Sequence, residues 1–329
     1  MAWENINPKE ALLEKIKTAG GWVNAHAHID RSYIINQDNW YLTADTLQKK
    51  WDYVDEFKAK NDVEEIVGHM SRVLDNQLEQ GVSAIASFID CDSVSKDKNL
   101  QAAQKIRERY GKDIVIKFIH QPIKGLMDET ERKWFEEAAS FVDIIGGLPE
   151  RDSKLRLPED HSAEHLDILF EAGKKHGKPL HVHIDQMNDP AQHDTELLIE
   201  KTREHGYTGK VTAIHGLSIA AHPEAERRKI YEGLKEQDIR FVACPTAWID
   251  SRRSETLAPI HNSVTPFDEM QAAGVCVAIG TDNIADIYKP FSDGDMWTEL
   301  RVLLEATHTY DLDALTAAAT TNGRKAMWL

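Results

Sequence analysis

Eight short runs rich in β-branched residues, each followed by a longer polar or amphipathic stretch, limit most strongly how this chain can fold. The runs are Trp22–Ala25, Ser83–Ile89, Ile114–Ile119, Val142–Gly146, Leu180–Ile184, Lys210–His215, Arg240–Ala243 and Cys276–Gly280. Parallel strands need a crossover of a dozen or more residues between them, and helix-length segments supply it here. Val63–Gln80, Leu100–Tyr110, Ala163–His176, Asp194–Glu204 and Pro223–Gln237 have the apolar spacing of helices that cover a sheet. Their Glu, Lys and Arg faces read as solvated surface. Eight such repeats point to a closed ring, so the expected fold is α/β, a single (β/α)₈ barrel, with residues 1–329 as one domain. No Gly/Ser-rich linker, low-complexity tract or internal repeat interrupts it. Asn36–Lys60, carrying Trp40, Trp51 and Tyr53, is expected to be a long loop entering a helix above the barrel mouth.

Composition excludes several functions. With 41% hydrophobic and 29% charged residues the chain can bury a large core, and its formal charge of -16 repels phosphate backbones and anionic membranes. Nucleic acid and membrane are therefore not expected partners. No apolar run approaches the roughly 20 residues of a membrane span, and Met1-Ala2-Trp3-Glu4-Asn5 is not a signal peptide. Cys91, Cys244 and Cys276 are scattered and odd in number, which suits buried thiols in a reducing compartment. A cytoplasmic location is the expectation.

The chemistry lies in the histidines at the C-terminal ends of the strands. His26 and His28 are two apart, so on a strand they face the same side. His183 ends the fifth run, His215 ends the sixth, and Asp282 follows the eighth. A lone histidine on an apolar strand is ordinarily a satisfied core residue. A set converging from separate strands has a ligand's placement. Imidazole and carboxylate suit Zn²⁺ or Fe²⁺, and such a site with an open position lowers the pKa of bound water to about 7, giving a hydroxide nucleophile.

The motifs extend the case. Asn24-Ala25-His26-Ala27-His28-Ile29-Asp30, His183-Ile184-Asp185-Gln186, Thr212-Ala213-Ile214-His215, Phe241-Val242-Ala243-Cys244-Pro245 and Gly280-Thr281-Asp282-Asn283 occur in that order. In this the sequence resembles the amidohydrolase superfamily and its cytosine deaminase-like branch, along most of the chain. The resemblance implies one divalent metal ion, Zn or Fe, held by His26, His28, His183 and Asp282. By the same resemblance His215 would lie close to the metal and bond the water or leaving group, and Asp282 would double as general base. It also implies that Gln121 holds a substrate ring by its amide edge, for which the plain alternative is a loop residue capping nearby backbone. Asp185, Trp248 and Asn283 are further candidate substrate contacts. Trp248, Asp250, Arg252 and Arg253 form a recognition loop or an ordinary exposed one, Asp286 and Trp297 are candidates for the pocket wall, and His181 reads as a core or supporting residue.

Two departures matter. The branch carries a proton-shuttling glutamate three residues after the fifth-strand histidine, where this chain has Gln186. An amide cannot donate and recover a proton as a carboxylic acid can, so Asp185, His120 or Asp30 would have to serve. Relatives also carry a flanking β-sandwich built from both chain ends. Here the histidine pair arrives at residue 26 and the sequence stops at Leu329, so the expected barrel lacks the sandwich, with Met1–Ile16 as a helix across its bottom. No lysine is placed to bridge two metals, Lys117 reading as structural. Three functions stay open: a deaminase-like aminohydrolase of a nitrogen heterocycle, an amidase or cyclic-amide hydrolase that Gln186 would suit better, and an inactive ligand-binding barrel. The expected partner is a small nitrogen-containing molecule, with a homo-oligomer left open.

Overall fold

The computed structural model describes residues 7–187, 189–250 and 264–329, and of residues 47, 48 and 248–250 the backbone alone. Its strands are β1 (Trp22–His28), β2 (Val82–Asp90), β3 (Val115–Gln121), β4 (Ile145–Gly147), β5 (Leu180–Ile184), β6 (Val211–His215), β7 (Arg240–Ala243), β8 (Val277–Ile279) and β9 (Asp282–Asn283). The helices are α1 (Pro8–Thr18), α2 (Leu47–Lys60), α3 (Val63–Glu79), α4 (Lys98–Tyr110), α5 (Glu129–Phe141), α6 (Ser162–His176), α7 (Asp194–Glu204), α8 (Glu224–Glu236), α9 (Phe267–Ala272), α10 (Met296–Ala306), α11 (Leu312–Ala319) and α12 (Thr321–Ala326).

All strand pairs are parallel, in the orders β3-β2-β1-β9 and β4-β5-β6-β7-β8. The result is a TIM-barrel-like α/β fold. Among the described residues no named strand lies outside these two sheets. Two seams join them. On one side Ile119 bridges Ile144. There a Cβ on Gly146 would lie 1.7 Å from the His120 carbonyl oxygen, so only glycine lets β4 approach β3 this closely. On the other, β8 runs through Gly280-Thr281 into β9, which pairs with β1. A Cβ on Gly280 would lie 2.7 Å from both Cβ and the carbonyl oxygen of His26. Asn24 clamps this second seam, donating 2.9 Å to Gln77 Oε1 and 2.8 Å to Thr281 Oγ1 while accepting from Thr281 N at 3.1 Å.

Strand and helix apolar faces meet in one large cluster outside the sheets, from Leu12 and Trp22 through Phe118, Phe170 and Phe241 to Leu315. A smaller cluster holds Val23, Ala25, Ala84, Ala86, Phe88, Ile214, Val242, Ala278 and Met327. Strand β1 supplies both. Its register against β2 shifts between Asn24 and Ala27. Val23 and Ala25 belong to the smaller cluster, Ala27 and Ile29 to the larger, and Phe88 of the smaller one meets His26 edge-on and His28 at a tilt. An irregularity of this kind re-aims side chains beside a site, and here it turns the histidine pair toward Phe88.

Of the helix expected at Met1–Ile16, residues 1–6 lie outside the described residues. Among the described residues the chain's last turn packs at the lower end: His181 Nε2 donates 2.8 Å to the Ala326 carbonyl, Thr212 Oγ1 donates 3.2 Å to the same oxygen, and Trp328 Nε1 donates 3.3 Å to Gly209 O. Helix α1, capped by the Asn7 side chain, instead ties to α10 and α11 through Lys9 over Trp297 and Lys15 to Asp313 at 2.7 Å. With two buried residues, Leu12 and Ile16, it has too narrow an apolar stripe to plug a barrel.

Candidate active site

At the C-terminal ends of β1, β5 and β6 and the start of β9, five side chains converge. Asp282 Oδ1 lies 3.2 Å from His26 Nε2 and 3.3 Å from His28 Nε2. Ligand atoms of His26, His28 and Asp282 all lie within 4.8 Å of one another, as do those of His26, His183 and His215, so His26 joins two triads. Its ring centroid is 5.0 Å from that of His28, 4.9 Å from His183 and 5.5 Å from His215. No side chain of the set is more than a few per cent exposed.

Protonation fits a cation. Burial holds the imidazoles of His28 and His183 well below the ordinary histidine range and that of His215 at about 4, so all three are neutral. Burial works to raise Asp282, but hydrogen bonds from His26 and His28 overcome it and hold the carboxylate ionised. His183 donates from Nδ1 to the Gly147 carbonyl at 3.1 Å, which makes Nε2 its lone-pair nitrogen. That Nε2, with His26 Nδ1 and His215 Nδ1, is buried without a hydrogen-bond partner. The neutral imidazoles of His183 and His215, with unspent lone pairs beside an ionised carboxylate, form a donor set that fits a divalent metal ion.

The backbone pays a cost for this arrangement. His215 (φ 77°) and Asp282 (φ 57°) occupy the left-handed region, as does Asp185 (φ 48°). Non-glycine residues sit there only where surrounding structure compels it. Thr265 Oγ1 donates 2.5 Å to the His215 carbonyl, and Lys289 Nζ donates 2.5 Å to the carbonyl of Thr281, holding two of these turns.

Above the histidines the pocket is lined by Arg31, Trp51, Gln121, Gln186, Asn283 and Tyr288, among others. Gln121 Oε1 and Asn283 Oδ1 are buried and have no hydrogen-bond partner. Gln186 donates from Nε2 to Glu150 Oε2 at 3.1 Å. Asp185 faces away from the pocket: its carboxylate accepts from Asp194 N at 2.9 Å, Thr195 N at 3.2 Å and Thr195 Oγ1, forming the start of α7. His120 points outward against Phe135 and donates to the Cys91 carbonyl, and Asp30 accepts from Asp90 N and Asn99. None of the three substitutes considered for the missing glutamate lines the pocket. Asp286 lies behind Arg31 with its Oδ2 3.9 Å from Nε, His181 sits at the lower end, and Trp297 packs under Lys9. The side chains of Trp248 and Asp250, with Arg252 and Arg253 entirely, lie outside the described residues.

Arg31, Tyr288 and Glu150 escaped the sequence reading, whereas Trp51 belongs to the segment expected above the mouth. Arg31 donates 3.1 Å to Asp90 Oδ1 and 3.0 Å to His28 Nδ1, anchoring the histidine pair from the side. Trp51 arrives on α2, whose Lys58 is drawn into a buried cluster with Asp55, Asp90 and Asp92. Tyr288 OH is buried and unpartnered. Glu150 is 2% exposed and pushed up to about 7 by burial. Adjacency to His28 was the one available signal for Arg31, and Glu150 had none, since its partner is 36 residues away.

Against this geometry stand the likenesses to known proteins. The chain belongs to the amidohydrolase family, matched over residues 33–329. It is 43% identical to an uncharacterized protein of Haemophilus influenzae over 263 residues, 80% of this chain and 94% of that one. It is 25% identical to N-isopropylammelide isopropyl amidohydrolase of Pseudomonas sp. (strain ADP), covering 84% of this chain and 65% of that protein. Among solved structures, 5-methylcytosine deaminase of Klebsiella pneumoniae bound to 5-fluorocytosine superposes with a TM-score of 0.85 at 23% identity, over 94% of this chain and 74% of that one. At that identity the likeness speaks for the fold.

Proposed function

We propose that this chain hydrolyses a C–N bond of a small nitrogen heterocycle, within one closed barrel domain whose eight-strand ring is completed at the β3/β4 and β9/β1 seams. The observation that carries the reading is the convergence of neutral imidazoles with unspent lone pairs on the ionised Asp282. His26, His28, His183 and Asp282 would hold one divalent ion, with His215 beside it. Such an ion supplies Lewis acidity and water acidic enough to attack near neutral pH.

The remaining roles belong to the chain's own side chains. Asp282, already deprotonated, takes a proton at its carboxylate, and His215 bonds the departing group. The unpartnered oxygens of Gln121 and Asn283 favour a substrate that presents N–H donors, as a lactam or ring amide edge does. Gln186, with its amide nitrogen turned to Glu150, offers the pocket its oxygen as a further acceptor. Glu150 therefore acts as a positioning residue behind Gln186. Two proteins this chain resembles, N-isopropylammelide isopropyl amidohydrolase and a pterin deaminase of Rhizobium rhizogenes, carry names of the same kind.

Gln186 at the shuttle position favours a second reading, hydrolysis of a cyclic or linear amide, whose carbonyl needs less help from an acid. Release of ammonia, amine or ring-opened product by zinc- or iron-loaded protein, across pyrimidines, triazines, pterins and cyclic amides, tests both. Ammonia or amine release supports the first reading and ring opening the second. Metal-loaded protein that binds such a ring and consumes none of the panel overturns both in favour of a binding barrel.

A further inference from the structure

A second group of metal-ligating side chains lies away from the pocket, where α7 begins. His193 immediately precedes α7, Glu196 sits in its first turn, and His222 follows the short helix Leu217–Ala221 beyond β6. One ligand atom from each lies within 4.8 Å of the other two. His193 Nδ1 is 2.9 Å and His222 Nδ1 3.9 Å from the same oxygen, Glu196 Oε1, and the two rings stack with centroids 4.7 Å apart.

A His–Glu pair one helical turn apart is ordinary on a surface. His222 makes this one different. Its side chain is 1% exposed, and its Nε2–H donates 2.8 Å to the Gln192 carbonyl. That bond places the ring proton on Nε2 and leaves Nδ1 a lone pair, which has no hydrogen-bond partner. Glu196 Oε2 is likewise buried and unpartnered. Leaving a buried polar atom unmatched is costly, and two acceptors cannot satisfy each other. A cation satisfies both.

We infer that His193, Glu196 and His222 form a peripheral site for a divalent cation of the Zn²⁺ type, separate from the His26–Asp282 centre. Two imidazoles and one carboxylate with a position left for water form a zinc-type donor set, whereas Ca²⁺ and Mg²⁺ select oxygen ligands. The Nε2–H bond from His222 to a backbone carbonyl is the outer contact that orients a ligating imidazole. Gln192 continues the link inward, its side-chain oxygen accepting from Met187 N at 2.9 Å. The ion would thus pin the far end of the segment that leaves β5 and carries Gln186. The inference stands whether or not the proposed reaction is correct.

Zinc titration of metal-stripped full-length protein against a chromophoric chelator, with elemental analysis of the reloaded protein, tests it. The wild type is expected to bind two ions per chain. His193→Ala changes a half-exposed side chain, 52% exposed, and should bind one while keeping the central ion. Glu196→Gln should lose the same equivalent, and His183→Ala should retain it. Equal stoichiometry and affinity for wild type, His193→Ala and Glu196→Gln would overturn the site.

Discussion

Replacing Glu150 by glutamine removes a buried charge and keeps the side-chain shape. In the folded protein burial pushes this carboxyl from 4.5 to about 7, with Arg151 and Arg156 drawing it down and Asp185 pushing it further up. The native state therefore holds a proton that the unfolded chain has released. Glu150 contributes its full stability below the unfolded value of 4.5, and that contribution is lost as pH rises through about 7. A shift of this size corresponds to about 3 kcal/mol between the two protonation states. Glutamine has no proton to lose, so Glu150→Gln should match the wild type near pH 4.5 and exceed its stability by about 3 kcal/mol at pH 8. Urea denaturation of both proteins at the two pH values, compared as a difference so that other carboxylates cancel, measures it. A gap that does not change with pH would refute the burial argument. Because glutamine still offers an oxygen to Gln186, turnover should fall by less than about tenfold, while Glu150→Leu, which offers none, should lose considerably more.

Other expectations follow from the same geometry. His183→Ala should abolish central metal binding and turnover together and leave the helical circular dichroism unchanged, since its ring serves the site and its strand is held by β4 and β6; a variant that still turned over would contradict the ligand set. Asp282→Asn cannot take a proton, so turnover should drop about 10²–10⁴-fold with metal retained, and near-normal rates would move the base elsewhere. Gln186→Glu should not speed the native reaction and is expected to introduce weak deamination; a gain of orders of magnitude would mean an ordinary deaminase with a damaged shuttle. Gly280→Ala places a methyl against the His26 backbone and should cost about 1–3 kcal/mol in chemical denaturation, with weaker central metal binding.

Much of the scaffold was legible because period and length agreed. Leu180–Ile184, Arg240–Ala243 and Asp194–Glu204 have the boundaries expected from sequence. β1 was expected to end at Ala25 yet runs to His28, because polar histidines do not read as strand residues even where a register shift turns them toward Phe88. β4 is three residues rather than five, since its glycines and single bridge to β3 depend on long-range approach. The histidines and Asp282 could be read from strand position alone. Asp185 could not: its carboxylate is claimed by a helix that begins nine residues later. Glu150 and Tyr288 were hidden for the converse reason, their neighbours being brought near only by the closing of the sheets.

The left-handed backbone at His215 and Asp282 places function and endurance in opposition. Each such residue costs of order 1–3 kcal/mol that glycine would not incur. His215→Gly should therefore yield a firmer but silent scaffold, so a screen for heat resistance alone would drift toward chains that have discarded their chemistry. Selection for survival in this fold has to be coupled to a readout of turnover, or it will choose the wrong proteins.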